Sequence, residues 1–157
     1  MKQTVFFIGF LLGLILFFPV KELFFYTQRV LQKKDIHIQT KIKNSFLPTF
    51  ADTKIYKNNI LLFNIQKATL KPFIFYNKME IKNLKGLNIK IKDLNITYTV
   101  FNPFEMQIKA TSNLSSLIQG EINLKKHFVK IYLQNPKDSI KRLLKKDDKG
   151  YYYYAIY

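Results

Sequence analysis

Ile36-His37-Ile38-Gln39-Thr40-Lys41-Ile42-Lys43 is where the chain changes its period, and that change decides the fold. For eight residues, apolar or branched side chains alternate with polar ones, the pattern of a strand with one buried face. The same alternation returns over residues 55–57, 60–66, 79–84, 87–92, 94–100, 104–112, 117–124 and 128–134. Asn58-Asn59 separates two of these runs, and asparagine tolerates the positive φ of a tight hairpin turn. Eight to eleven strands are expected over the chain. In Ile89-Lys90-Ile91-Lys92 the isoleucines face inward and the lysines outward.

Upstream of Ile36 the period is helical. From Val5 to Val20 the sequence VFFIGFLLGLILFFPV carries no charge, and Phe24, Phe25 and Tyr26 extend the apolar run toward a full bilayer crossing. The competing reading is a cleaved secretory signal. Bulky Phe17, Phe18 and Val20 stand where a signal peptidase needs small residues, which favours an uncleaved anchor. Gly9 and Gly13 have the spacing that lets two membrane helices approach, though glycine is common in lipid without pairing.

The expected layout is a cytoplasmic start at 1–4, a transmembrane signal anchor at 5–26 (Val5, Gly9, Gly13, Phe17 and Phe18 among its residues), a juxtamembrane helix at 27–34, and a β domain at 35–157. Orientation is contested within the sequence. Lys21, Arg29, Lys33 and Lys34 outnumber Lys2 and pull the following domain toward the cytoplasm. An initiating anchor with a long domain behind it usually translocates that domain, so the expectation is a bitopic protein with its β domain outside the cytoplasm.

Downstream, Asn135-Pro136-Lys137-Asp138 reads as a helix start, with Asn as N-cap and Pro at the first helical position, running to about residue 146. Lys137, Lys141, Arg142 and Lys145 would make one face of it basic, either a candidate contact for an anionic partner or the solvated side of a cover over the sheet end. Asp147 to Gly150 turns the chain. Tyr151, Tyr152, Tyr153, Tyr154 and Tyr157 then fall in a last strand, a candidate edge for a partner by strand addition.

The formal charge of +16 invites a nucleic-acid reading, but of 26 basic residues only Arg29 and Arg142 are arginine. Arginine is the residue of bidentate phosphate and base recognition, so the lysines read as solvated faces. The chain has no cysteine, its two histidines lie far apart at 37 and 127, and its acidic residues form no catalytic pair. Its five glycines form no phosphate-cradling run. The expectation is a protein that is not an enzyme and takes no cofactor or metal.

Two stretches carry a likeness. Phe18-Pro19-Val20-Lys21-Glu22-Leu23 leads from the apolar run into a helix, and Gly120-Glu121-Ile122-Asn123-Leu124 is followed by Val129-Lys130-Ile131-Tyr132-Leu133. With the order of elements, this layout resembles the N-terminal part of type II secretion protein N and the related AsmA-like envelope proteins. The resemblance implies an inner-membrane-anchored periplasmic subunit and assigns no single residue. The layout is also similar to the bitopic periplasmic subunit of lipopolysaccharide export, whose open β jelly roll passes lipid along its interior. On that likeness the inward Ile, Leu and Phe side chains line a groove; otherwise they pack on one another.

The fold expected is mainly β: a single N-terminal transmembrane helix, then a curled or sandwiched antiparallel β domain with one short C-terminal helix. The function expected is a structural subunit of an envelope machine of the secretion, pilus, competence or motor type, acting through protein partners. The alternative is a lipid-binding or lipid-transfer module. A membrane-tethered nucleic-acid binder is a distant third.

Overall fold

The computed structural model describes residues 26, 28–43, 47–73 and 75–157. The anchor residues Val5, Gly9, Gly13, Phe17 and Phe18 lie outside them. Among the described residues no helix is long and apolar enough to cross a membrane. Residues 28–32 are helical and lead directly into the sheet.

Ten strands form one antiparallel sheet. They are β1 (Ile36–Lys43), β2 (Thr49–Lys57), β3 (Ile60–Pro72), β4 (Tyr76–Gly86), β5 (Lys90–Thr99), β6 (Asn102–Ser112), β7 (Leu117–Asn123), β8 (Phe128–Gln134), β9 (Lys145–Asp147) and β10 (Gly150–Ile156). Each strand pairs with its sequence neighbour from β1 to β8, and the sheet then ends in the order β8-β10-β9. The described residues therefore form one open sheet, and the sandwich alternative is not what is seen.

Alternation along the strands, carried across by the pairing, sorts the side chains by face. One rung runs Ala68, Ile81, Leu94, Ala110, Ile118, Leu133, Tyr151, reached on the other side through Phe50 and Ile42. Two residues along, the next runs Leu70, Met79, Ile96, Ile108, Gly120, Ile131, Tyr153. A third holds Tyr98, Met106, Ile122, Val129 and Ala155. The intervening rungs face the other way and are polar, Lys71, Lys78, Thr97, Gln107, Glu121, Lys130 and Tyr154 being one of them.

The sheet is interrupted at several points. Asp52 and Asn83 take positive φ of 50° and 51°, and register shifts fall between Gln39 and Lys41 and between Ile91 and Asp93. Such irregularities bend strands and increase twist. A turn of helix guards the outer edge of β1, where the Gln28 side-chain amide donates to the Ile38 carbonyl at 3.2 Å.

One layer buries little. Among the described residues the buried apolar side chains are Ile65, Ile81, Ala110 and Pro136, and no side chain is fully enclosed. Apart from the Thr111 hydroxyl, which is buried without a hydrogen-bond partner among the described residues, the buried polar groups are satisfied locally. Thr53 meets the Thr40 hydroxyl at 2.6 Å, and the Ser115 hydroxyl shares its hydrogen between the Leu117 and Gln134 carbonyls at 2.8 and 2.7 Å.

Three expectations are corrected. The C-terminal helix α1 spans only Asp138–Lys141, because Asn135 takes a left-handed φ of 49° and Lys137, not Asn135, is the N-cap. The stretch after it becomes β9 instead of further helical turns. The runs 87–92 and 94–100 are one strand: Gly86 closes a turn on the Ile89 carbonyl at 2.8 Å, leaving Ile89 40% exposed, while Ile91 is half-buried.

Candidate functional site

The apolar rungs form the largest chemically uniform surface of the described residues. Ile96, Ile108, Ile122, Val129 and Ile131 are all half-buried, although Ile96, Ile122 and Val129 have apolar neighbours on both adjoining strands and Ile108 and Ile131 flank Gly120. A side chain at the centre of a packed core is enclosed on every side. Here the neighbours come only from within the sheet, and among the described residues no second layer covers the face. Seven strands in two rungs and five in the third, at ~4.8 Å by ~6.8 Å a position, give it roughly 600 Å², at the top of the ~300–600 Å² range of the largest patch on an ordinary monomer.

Its chemistry is that of aliphatic chains. Ile, Leu, Met, Val and Ala fill the three rungs between β4 and β8, with Tyr98 the one aromatic there, Gly120 the one gap and Asn77 the polar end of the third rung. No charged group interrupts them. Tyr151 and Tyr153 close the face at β10, where the ammonium groups of Lys141 and Lys146 stand 5.8 and 5.6 Å from the Tyr151 ring.

The opposite face is a field of paired charges. Lys71 and Lys78 stand directly across from one another, which alone would be repulsive. Glu80 sits beside both, 2.8 Å from each ammonium, and their hydrogen bonds hold its carboxyl down at about 2. At the other end of this face the Lys130 ammonium lies between the Tyr132 and Tyr152 rings, 4.9 and 4.8 Å from their centres. The Tyr132 hydroxyl, and Asp147 beyond it, hold that lysine above its ordinary pKa. Tyr132 in turn donates to Asp147 Oδ2 at 2.9 Å, which ties β9 to β8 across β10.

The structure divides the candidate tyrosine edge. β10 lies between β8 and β9, so Tyr151 and Tyr152 have a strand on both sides. β9 ends its pairing at Tyr152, leaving Tyr153, Tyr154, Ala155 and Ile156 paired to β8 alone. Tyr153 and Tyr154 are 46% and 40% exposed. Tyr157 follows the strand and packs edge-on against His127 with centroids 5.7 Å apart.

The basic helix face is not assembled. With α1 reduced to four residues, Lys137 precedes it, Arg142 caps it and Lys145 belongs to β9. Lys141 is engaged by Asp138 at 2.6 Å, which raises the lysine pKa and lowers that of the aspartate. His37 lies on the exposed side of β1 and His127 in the turn before β8.

Sequence reasoning placed the inward isoleucines but missed the Glu80 and Lys130 clusters, which depend on the register of β3 with β4 and of β8 with β10. A second omission is an asymmetry between the two ends of the sheet. At the end where residue 36 enters, the turns are asparagine-rich, with Asn58-Asn59, Asn88 and Asn113, and the exposed apolar side chains there, Ile60, Leu87 and Ile89, are aliphatic. At the opposite end the turns carry Phe73, Phe75, Val100, Phe101 and Leu124, with Phe104 beside them, and all are exposed. For Phe73, Phe75 and Phe101 the signal was present as phenylalanine outside the alternating runs. No family model, curated protein or solved structure matches this chain.

Proposed function

We propose that the chain is a non-enzymatic lipid-binding module of the bacterial envelope, tethered through its N-terminal apolar segment, with its β domain in the periplasm. The observation that carries the reading is the continuous aliphatic face, buried at Ile81 and Ala110 but only partly buried elsewhere along three rungs, over which the described residues lay no second layer. Each acyl methylene fully buried there would contribute ~0.8 kcal/mol. The uniformity of the face favours hydrocarbon over a protein partner. Protein interfaces of this size carry about one hydrogen bond per 100–200 Å², and these rungs offer almost no side-chain donors or acceptors.

A second reading is the structural envelope subunit acting through protein contacts. It is favoured by the open outer edge of β10 from Tyr153 to Ile156, which offers backbone groups for strand addition.

One experiment separates the two. A photo-cross-linking amino acid is placed at Ile108 on the apolar face, at Gln107 on the polar face, or at Tyr153 on the open edge, and the full chain is irradiated in intact membranes. Phospholipid or glycolipid adducts at Ile108 and none at Gln107 are expected. Discrete protein adducts at Ile108 would sink the lipid reading, and protein adducts confined to Tyr153 would support the strand-addition reading.

A further inference from the structure

The turns at the end of the sheet away from residue 36 are chemically unlike turns. Loop tips are ordinarily polar, because they face water and need donors and acceptors of their own. Here Phe101 is 82% exposed, Phe75 61% and Phe104 52%. Phe75 and Phe101, from different hairpins, stack with centroids 6.0 Å apart and planes 11° from parallel. Phe75 and Phe101 lie beyond the ends of their strands, where folding the sheet does not call for them, and Phe104 stands beside them near the start of β6. They cost solubility where they stand, so an occupant that covers them is implied.

We infer that this aromatic rim inserts into the interface of an anionic lipid bilayer apposed to the one that holds the N-terminal segment. Phenyl rings at the tips with lysine beside them are interface chemistry: the rings enter the headgroup boundary while ammonium groups meet lipid phosphate. Lys125 and Lys126 are both exposed in the turn between β7 and β8, and the whole chain carries a formal charge of +16.

The shape of the rim excludes the other occupants on size. From β3 to β8 it extends roughly 25 Å and is one side chain thick, a few hundred Å² at most. A stable protein partner, or a second copy, buries ~800 Å² a side around a desolvated core, and a line of tips encloses no core. A bilayer needs none.

The rim is also on the far side of the sheet from the chain's entry at Ile36, separated from it by the length of a strand. With 11 residues β4 spans ~36 Å. That separation places the rim away from the membrane of the anchor, whose role here rests on the proposed function. The inference does not require the apolar face to hold lipid.

The chain contains no tryptophan, so a single substitution gives one indole reporter. Phe101→Trp reports on the rim, and Leu87→Trp, at a residue 78% exposed in the β4–β5 turn at the opposite end, is the control. Each full-length variant is held in zwitterionic nanodiscs and mixed with phosphatidylglycerol-containing vesicles whose acyl chains are brominated. Circular dichroism establishes that both variants keep the strand signal.

The expected result is a blue shift and quenching of the Phe101→Trp indole and not of the Leu87→Trp indole. The effect should weaken about tenfold when Phe75 is also replaced by Ser, and should diminish at high salt. Equal behaviour of the two indoles, or none by either, overturns the inference. So does quenching seen only with brominated lipid in the host disc, which means the rim meets the anchor's own membrane. A blue shift that follows protein concentration without vesicles overturns it in favour of a second copy.

Discussion

The Lys130 carbonyl oxygen lies 2.3 Å from where a Cβ on Gly120 would sit, and the Ile131 Cα lies 2.8 Å from it. Both atoms are backbone of the paired strand, so neither can swing aside. Gly120 is thus the point where β7 and β8 approach too closely for any side chain. Gly120→Ala is expected to cost about 3 kcal/mol, the upper end for overpacking, because backbone must move. Gly86→Ala meets only the edge of the Phe63 ring at 3.0 Å and should cost under about 1 kcal/mol. Thermal melts by circular dichroism compare the two, and equal losses would refute the distinction.

Glu80 links acid stability to its two lysines. Its folded pKa is lowered from 4.5 to about 2, so the unfolded chain takes up the proton first as pH falls. The stabilisation is therefore fully present above about 4.5 and disappears as pH falls toward about 2. The side chains of Glu80, Lys71 and Lys78 keep 23%, 31% and 33% of their surface in solvent. Screening then limits the contribution to about 1 kcal/mol. Glu80→Gln should be less stable than the parent at neutral pH, with the gap closing through that window. A gap that persists at low pH would point to packing instead.

Burial within a single layer makes unequal contributions of equal-looking isoleucines. Ile81 is 9% exposed between Ala68 and Leu94, whereas Ile108 is half-buried on the next rung. Ile81→Ala should cost about 2–3 kcal/mol and Ile108→Ala no more than about 1 kcal/mol. Added phospholipid should raise the melting temperature of the parent more than that of Ile108→Asp. Equal shifts would argue against the apolar face as the binding surface.

Tyr132→Phe removes the hydroxyl that holds Asp147. A hydrogen bond to a charged acceptor contributes about 1.5–3 kcal/mol when buried, and half-exposure here places the loss near 1 kcal/mol. Hydrogen exchange should quicken at Lys145–Asp147 while β7 is unchanged. Unaltered protection of β9 would mean that its backbone pairing alone holds it.

Removing residues 151–157 does more than clear an edge. β10 is the strand that joins β8 to β9, so its loss leaves β8 with one neighbour and β9 with none. The truncated chain is expected to self-associate through the newly open β8, which light scattering would register. A monomeric, folded truncation would contradict the sheet order.

The strands from β3 to β8 were legible because each has one apolar and one polar side, and alternation is what a one-sided sheet imposes on sequence. β9, Lys145-Lys146-Asp147, left no such trace, since a short edge strand presents no apolar residue at all. The misplaced helix turned on Asn135, whose side chain suits an N-cap and a left-handed turn alike. Alternation also states which side chains avoid water without stating what covers them. The inward isoleucines were therefore visible, but the missing second layer among the described residues was not. The charge clusters at Glu80 and Lys130 required the register, which no single strand encodes.

Because β1 to β8 pair strictly in chain order, each hairpin rests only on the ones before and after it. Such an array can grow or shrink by whole hairpins without rewiring, much as solenoids do by repeats. The reach of this chain is accordingly a countable quantity, set by how many hairpins its gene carries, and related chains could differ in span while keeping the same cross-section.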